Sequence, residues 1–229
     1  MEGYGLTETS PVISVNEFRP ENNRIGTVGA LIDGVEVKIA EDGEILVKGP
    51  NVMMGYYNKP EKTDEVIKDG WFHTGDIGGF VEEKFLKITD RKKEMFKTSG
   101  GKYIAPSLLE NKFKESLFIE QIMVVGEGQK FPGALIVPNF GHMKSYCNRK
   151  KIPYTTDEEM IKNPVLLEKF QTEADKYNES FARYEKIKQF RLLPELWTIE
   201  KGELTPTQKC KRKVIKSNYA STIEDIYNV

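Results

Sequence analysis

The sequence is poor in the residues that would make several functions easy. Its 229 residues hold two cysteines, Cys147 and Cys210, and two histidines, His73 and His142. The cysteines lie far apart, which excludes a disulfide framework and a metal-ligand spacing, and the histidines form no ligand pair. Free thiols suit a reducing cytoplasm, the expected location. No apolar run approaches the roughly 20 residues that span a bilayer, so membrane contact is limited to the periphery, at the inner membrane. Met1-Glu2-Gly3-Tyr4 has neither a basic head nor an apolar stretch, so no signal peptide is expected. Charge of one sign is lacking too. Lys and Arg number 34 against 35 Asp and Glu, a formal net charge of -1. That excludes a bulk electrostatic partner such as nucleic acid.

What is present is a globular composition, 38% hydrophobic, with enough chain for one or two modest cores. Val35, Val37 and Ile39 alternate with polar residues, a strand pattern. Asp42-Gly43 then suits a tight hairpin because both residues tolerate positive φ, and Glu44 to Lys48 returns as a strand. A second hairpin is predicted over 80–88, turning near Glu83-Lys84. A short helix with proline in its first turn fits 60–68.

From about Lys92 the pattern changes. Ala105-Pro106 opens a predicted helix with Leu109, Phe113 and Leu117 on one face. Gln121 to Val125 and Gly133 to Val137 read as strands. Leu166, Phe170, Ala174, Tyr177, Phe181 and Tyr184 form an amphipathic stripe on a helix starting near Pro164. Gln189 to Leu193 reads as a strand and Lys211 to Tyr219 as a closing helix. The charged stretch from Thr89 to Glu94 fits an exposed connection. The expected fold class is α+β: a mostly antiparallel β region over 1–91, then an α+β domain over 92–229.

Four blocks carry candidate chemistry. Tyr4-Gly5-Leu6-Thr7-Glu8 offers an aromatic plate, a glycine allowing close backbone approach, a hydroxyl, and a carboxylate that could hold Mg²⁺; a polar turn accounts for it equally simply. In Gly70-Trp71-Phe72-His73-Thr74-Gly75-Asp76, the carboxylate follows a Thr-Gly turn and could accept both hydroxyls of a ribose, or cap its own backbone. Asp90 to Pro106 reads as a charged linker with a Gly-Gly turn. Leu204-Thr205-Pro206-Thr207-Gln208-Lys209 opens a basic run that could meet phosphate, or face water.

In this order and spacing, the blocks resemble the motifs of adenylate-forming enzymes, and Leu-Thr-Pro-Thr-Gln-Lys is most similar to the long-chain fatty-acid–CoA ligases, where other relatives read Ser-Gly-Lys. The resemblance runs from Tyr4 to Ile215. It implies that Tyr4 packs on adenine beside Gly5, that Thr7 contacts phosphate, that Glu8 coordinates Mg²⁺, and that Asp76 and Arg91 hold the ribose. It implies a hinge at Lys93, CoA contacts at Gly100 and Lys102, and a catalytic Lys209 at the α-phosphate; Lys211, Arg212 and Lys213 could bind CoA phosphates or only face water, and water is the favoured reading. Gly43 to Pro50 with Met54 to Asn58 resembles a further family stretch, read as a strand, a turn and aromatic packing, to which no chemistry is assigned.

The implied substrates are a fatty acid, ATP and CoA. The implied reaction is formation of an acyl adenylate followed by thioester formation. The implied architecture is the end of a large N-terminal domain followed by a small mobile C-terminal lid. No Ser/Thr/Gly-rich phosphate loop is found, so a front domain of the same enzyme is the expected partner, and the chain is expected to be inactive alone. A ligase for another acid or for an acyl-carrier protein, and a non-catalytic interaction module, remain open readings.

Overall fold

The structure is a computed structural model that describes residues 2–228. The chain divides into two compact units between Glu94 and Met95.

The front unit is built on one eight-stranded antiparallel sheet. In chain order its strands are β1 (Gly3–Gly5), β2 (Val12–Val15), β3 (Ala30–Leu31), β4 (Glu36–Ile39), β5 (Glu44–Lys48), β6 (Ile67–Lys68), β7 (Trp71–Val81) and β8 (Phe85–Arg91). Their spatial order is β1-β2-β3-β8-β7-β5-β4, with β6 pairing β7. Helix α1 (Pro60–Val66) starts on its proline and ends two residues before the expected position, because Ile67 and Lys68 pair with β7 instead.

The β4–β5 hairpin follows the alternating pattern, with Val37 opposite Val47 and Ile39 opposite Ile45. Its turn differs from expectation. The Ala40 N–H bonds to the Glu44 carbonyl, closing a loop of three residues, and of the Asp-Gly pair only Gly43 takes a positive φ, 85°. The Asp42 side chain instead accepts the Glu44 N–H at 3.1 Å. The second hairpin, β7–β8, turns through Glu82 and Glu83, both with positive φ, and is much longer than 80–88. Beneath the sheet, Ile13, Val35, Ile45, Val47 and Leu86 pack with the Tyr4 ring.

The back unit begins with a two-stranded ribbon, β9 (Phe96–Lys97) and β10 (Tyr103–Ile104), and helix α2 (Pro106–Phe113). Its three-stranded sheet is β11 (Ile119–Val125), β12 (Gly133–Pro138) and β13 (Gln189–Leu192). β12 lies in the middle, antiparallel to β11 and parallel to β13. Helices α3 (Phe140–Lys150), α4 (Asp157–Met160) and α5 (Pro164–Asn178) lie between β12 and β13, and α6 (Arg212–Asn218) and α7 (Ala220–Tyr227) close the chain.

Every residue of β12 is buried because side chains alternate between two cores. Ala134 and Ile136 join Phe113, Met143, Leu166 and Phe170 on one face. Leu135 and Val137 join Trp197, Ile215 and Ile226 on the other.

Two helical expectations fail for identifiable reasons. Leu117 is 70% exposed, because α2 stops at Phe113 and the chain turns at Ser116, whose hydroxyl donates to Glu173. Helix α5 stops at Asn178, short of Phe181 and Tyr184. There the Asn178 side chain donates to the Ile187 carbonyl and accepts the Ile187 N–H, bridging the turn that leads to β13. The closing helix is followed by α7, whose apolar Ile223 and Ile226 seal the second core.

Candidate active site

The front unit brings two of the expected residues onto the carboxylate of a third. Asp76 is buried. Its Oδ2 accepts the Tyr4 hydroxyl at 2.6 Å and its Oδ1 meets the Arg91 Nε at 2.7 Å. Pairing across the sheet produces this convergence, because Asp76 on β7 stands directly opposite Arg91 on β8.

Thr74-Gly75-Asp76 is not a hairpin turn. It is an irregularity inside β7, where the four-residue step from His73 to Ile77 spans the two-residue step from Leu46 to Glu44 on β5. Gly75 takes φ 72° there, a conformation that favours glycine, while an added Cβ would meet nothing within 4 Å. Backbone conformation, not space, therefore requires glycine. A bulge of this kind re-aims the side chains beside it. The Thr74 hydroxyl holds it, donating to the Ile45 carbonyl at 2.8 Å and accepting the Asp76 N–H at 3.1 Å. The Asp76 carboxylate is thereby left to Tyr4 and Arg91.

At the N-terminal block the structure separates roles that the sequence lumps together. The Tyr4 ring is 8% exposed and packed in the front core, and burial followed by the bond to Asp76 holds its phenol well above the ordinary range. Gly5 does serve a close approach, but to its own chain: a Cβ would lie 1.6 Å from the Pro11 carbonyl oxygen. Thr9, fully buried, bonds the backbone at Leu6 and Pro11, whereas Thr7 is exposed on a single 3-10 turn.

Glu8 is half-buried and its Oε1 accepts the Tyr56 hydroxyl at 2.9 Å, so burial and this carboxylate raise the Tyr56 phenol. Glu8, Tyr56, Glu44, His73, Arg91 and Lys93 line a cavity of about 400 Å³. Among the described residues no cluster of three or more metal-ligating side chains occurs. A single carboxylate at a cavity wall nonetheless fits Mg²⁺, which keeps most of its waters and takes its remaining ligands from phosphate.

Two residues that the motif reading passed over stand in this site. Glu44 is 4% exposed. Its Oε1 accepts the Gly75 N–H at 2.9 Å, and its Oε2 meets His73 Nδ1 at 3.1 Å and Lys92 Nζ at 2.8 Å. Burial pushes this carboxyl up, but the bonds from Lys92, His73 and Gly75 outweigh it and hold it below the usual range. Lys92 also pairs with Asp42 at 2.6 Å, and the two carboxylates raise its ammonium. No local pattern marks Glu44, which reads as the polar first residue of a strand. Lys93 is exposed.

The back unit presents the remaining residues. Gly100 and Lys102 lie on the loop joining β9 to β10, which Thr98 closes by accepting the Lys102 N–H and donating to its carbonyl, both at 3.3 Å. A Cβ on Gly100 would find only the Thr98 hydroxyl, at 4.0 Å. The Lys102 ammonium stands 5.6 Å from the Tyr184 ring centroid. Lys209 is exposed at the end of a tight loop. Thr205 N–H bonds its carbonyl at 2.8 Å, Thr205 Oγ1 accepts its N–H at 3.0 Å, and Leu204 bridges Cys210 beneath. Gln208 takes φ 59° in this loop, the left-handed conformation that glycine adopts without strain.

Arg212 departs from expectation. It does not face water: its Nη2 donates to both oxygens of buried Glu110, at 2.7 and 2.6 Å. The guanidinium satisfies a carboxylate that burial would otherwise leave unpaired.

Comparison with known proteins places the chain in one family. Residues 1–57 match the family model of AMP-binding enzymes, and residues 94–229 match that of the AMP-binding enzyme C-terminal domain. The chain is 41% identical over 228 residues to long-chain-fatty-acid–CoA ligase FadD15 of Mycobacterium bovis, covering 99% of this chain and 38% of the relative. It is 37% identical to human long-chain-fatty-acid–CoA ligase 1, covering 99% of this chain and 34% of the relative. Among solved structures it is similar to O-succinylbenzoate coenzyme A synthetase from Bacillus subtilis in complex with AMP, with TM-score 0.66 and 26% identity, covering 93% of this chain and 40% of that one. The chain thus spans under two-fifths of the length of these curated relatives. Its back unit matches its family model throughout, and the chain belongs to the AMP-binding enzyme family.

Proposed function

We propose that this chain works as part of an ATP-dependent long-chain fatty-acid–CoA ligase, which joins a fatty acid to AMP and then passes the acyl group to the CoA thiol. The convergence of Tyr4 and Arg91 on the buried Asp76 carboxylate carries the reading. Three residues scattered through the front unit meet at one polar point, beside a cavity large enough for part of a nucleotide.

In this reading Asp76 accepts the ribose hydroxyls with the help of Arg91, Tyr4 borders the adenine and Thr7 donates to phosphate. Glu8 would hold Mg²⁺, which neutralises phosphate charge when bound. Lys209 reaches the α-phosphate and stabilises the charge that develops as the carboxylate attacks and pyrophosphate leaves. Phosphoryl transfer of this kind depends on positioning and electrostatics. For the second step the segment 92–229 swivels about Lys93, taking Lys209 away and bringing Gly100 and Lys102 to CoA, a hinge motion. The pinning of Lys92 by Asp42 and Glu44 favours Lys93 as the first residue free to turn. The 1–91 segment is then the end of the AMP-binding domain, and the acyl pocket is contributed by residues beyond this chain.

The test is Lys209→Ala in the enzyme extended by the upstream residues that its relatives carry, with palmitate as the acid. Loss of one aimed donor lowers the pyrophosphate-exchange rate by about 10²–10³. Thioester formation from pre-made acyl adenylate falls much less. Equal losses in the two half-reactions overturn the role of Lys209.

A further inference from the structure

We infer that Glu44 is a positioning residue, a single buried carboxylate that grips the backbone beside Asp76 and the side chain beside Arg91 and so keeps the pair aligned. The inference rests on the proposed nucleotide reading for its functional half, though not for its structural half.

A carboxylate buried to 4% exposure is costly unless several donors satisfy it. The strand that carries it gives no packing reason for its presence, since Ile45, Leu46 and Val47 supply the buried apolar positions. What Glu44 contacts is specific. The Gly75 N–H bonded to Oε1 belongs to the residue just before Asp76, at the crest of the bulge. The Lys92 ammonium bonded to Oε2 belongs to the residue just after Arg91. The Lys92 N–H donates in turn to the Gly75 carbonyl at 2.8 Å, so both peptide groups flanking Gly75 are tied down. A bulge interrupts the ladder of strand hydrogen bonds, and without such ties its side chains have no fixed aim. Asp42 takes a second share of Lys92 but none of Gly75, so among the described residues Glu44 is the side chain that holds both sides.

The chain of 229 residues itself supports the first measurement, amide hydrogen exchange followed segment by segment. Glu44→Ala is expected to speed exchange by about tenfold over 71–78 and 89–94, as loss of a charge-assisted bond implies, and to leave 12–15 and the back unit as they are. Glu44→Gln keeps an acceptor for Gly75 and loses the charge facing Lys92, so it speeds 89–94 alone. Asp42→Asn does the same more weakly. Unchanged exchange in both segments of Glu44→Ala, or acceleration spread evenly over the front sheet, overturns the inference.

The second measurement is pyrophosphate exchange in the extended enzyme. The KM for ATP should rise about tenfold in Glu44→Ala with kcat little changed, and Glu44→Gln should recover most of the loss. An unchanged KM beside the expected exchange pattern also overturns the positioning role. A wild-type enzyme that exchanges no pyrophosphate overturns the proposed function instead, while the segment pattern still decides whether Glu44 grips both strands.

Discussion

The two units are held together by different means. The back unit is a sheet with helices on both faces, and β12 feeds two hydrophobic clusters at once. The front unit has one smaller cluster and leaves Phe18, Ile25, Met54 and Tyr57 almost fully exposed. Its best-connected interior groups are polar: Asp76, Glu44 and Thr74. Apolar packing is non-directional and tolerates a range of side chains, so it suits a body that must stay intact. Hydrogen-bonded carboxylates fix direction, so they suit a surface that must aim. The back unit uses directed polar bonds too, but mostly to end helices and close loops: Ser116 on Glu173, Asn178 on Ile187, the Thr205–Lys209 loop and the Glu110–Arg212 pair.

The sharpest way to break this contrast is to cut the larger core. Phe170 is fully buried against Phe118 and Phe190. Phe170→Ala should cost about 3–5 kcal/mol. Calorimetry should show the back unit's transition moving down and the front unit's staying in place. A common shift would mean that the units unfold as one.

Acid should discriminate in the other direction. The folded Glu44 carboxyl lies below its ordinary value, so its stabilisation is complete above about pH 4.3 and is lost as pH falls through the lowered folded value. Melting curves taken from neutral to acid pH should show the front unit failing in that window, and Glu44→Gln should flatten the slope.

The smallest effect concerns the Lys209 loop. Relief of the left-handed backbone at Gln208 should make Gln208→Gly stabilising by about 0.5 kcal/mol, after the entropy glycine loses on folding. A destabilised variant would show that the Gln208 side chain contributes packing that offsets its strain.

Legibility followed the range of the interaction. The β4–β5 hairpin could be read because alternation and Asp-Gly are local signals, though the number of loop residues was not. The strands β11 and β12 were clear as apolar runs bounded by turn residues. Leu117 and Tyr184 misled because a helical stripe continues on paper after the helix has ended. Ser116 and Asn178 stop α2 and α5 through side-chain bonds that periodicity does not register. Arg212 looked like one more cation in a basic run, since nothing near it in sequence announces Glu110.

By itself the sequence determined the α+β class, the main hairpin, the strands of the back sheet and the family to which the motifs point. Those features depend on residue type and short spacing, which a linear chain displays directly. Only the tertiary structure decided that Tyr4 and Arg91 share the Asp76 carboxylate, that a bulge rather than a turn presents it, and that Glu44 holds the bulge. These depend on which strands pair and in what register, and a bond between residues 72 positions apart leaves no trace in the pattern around either one.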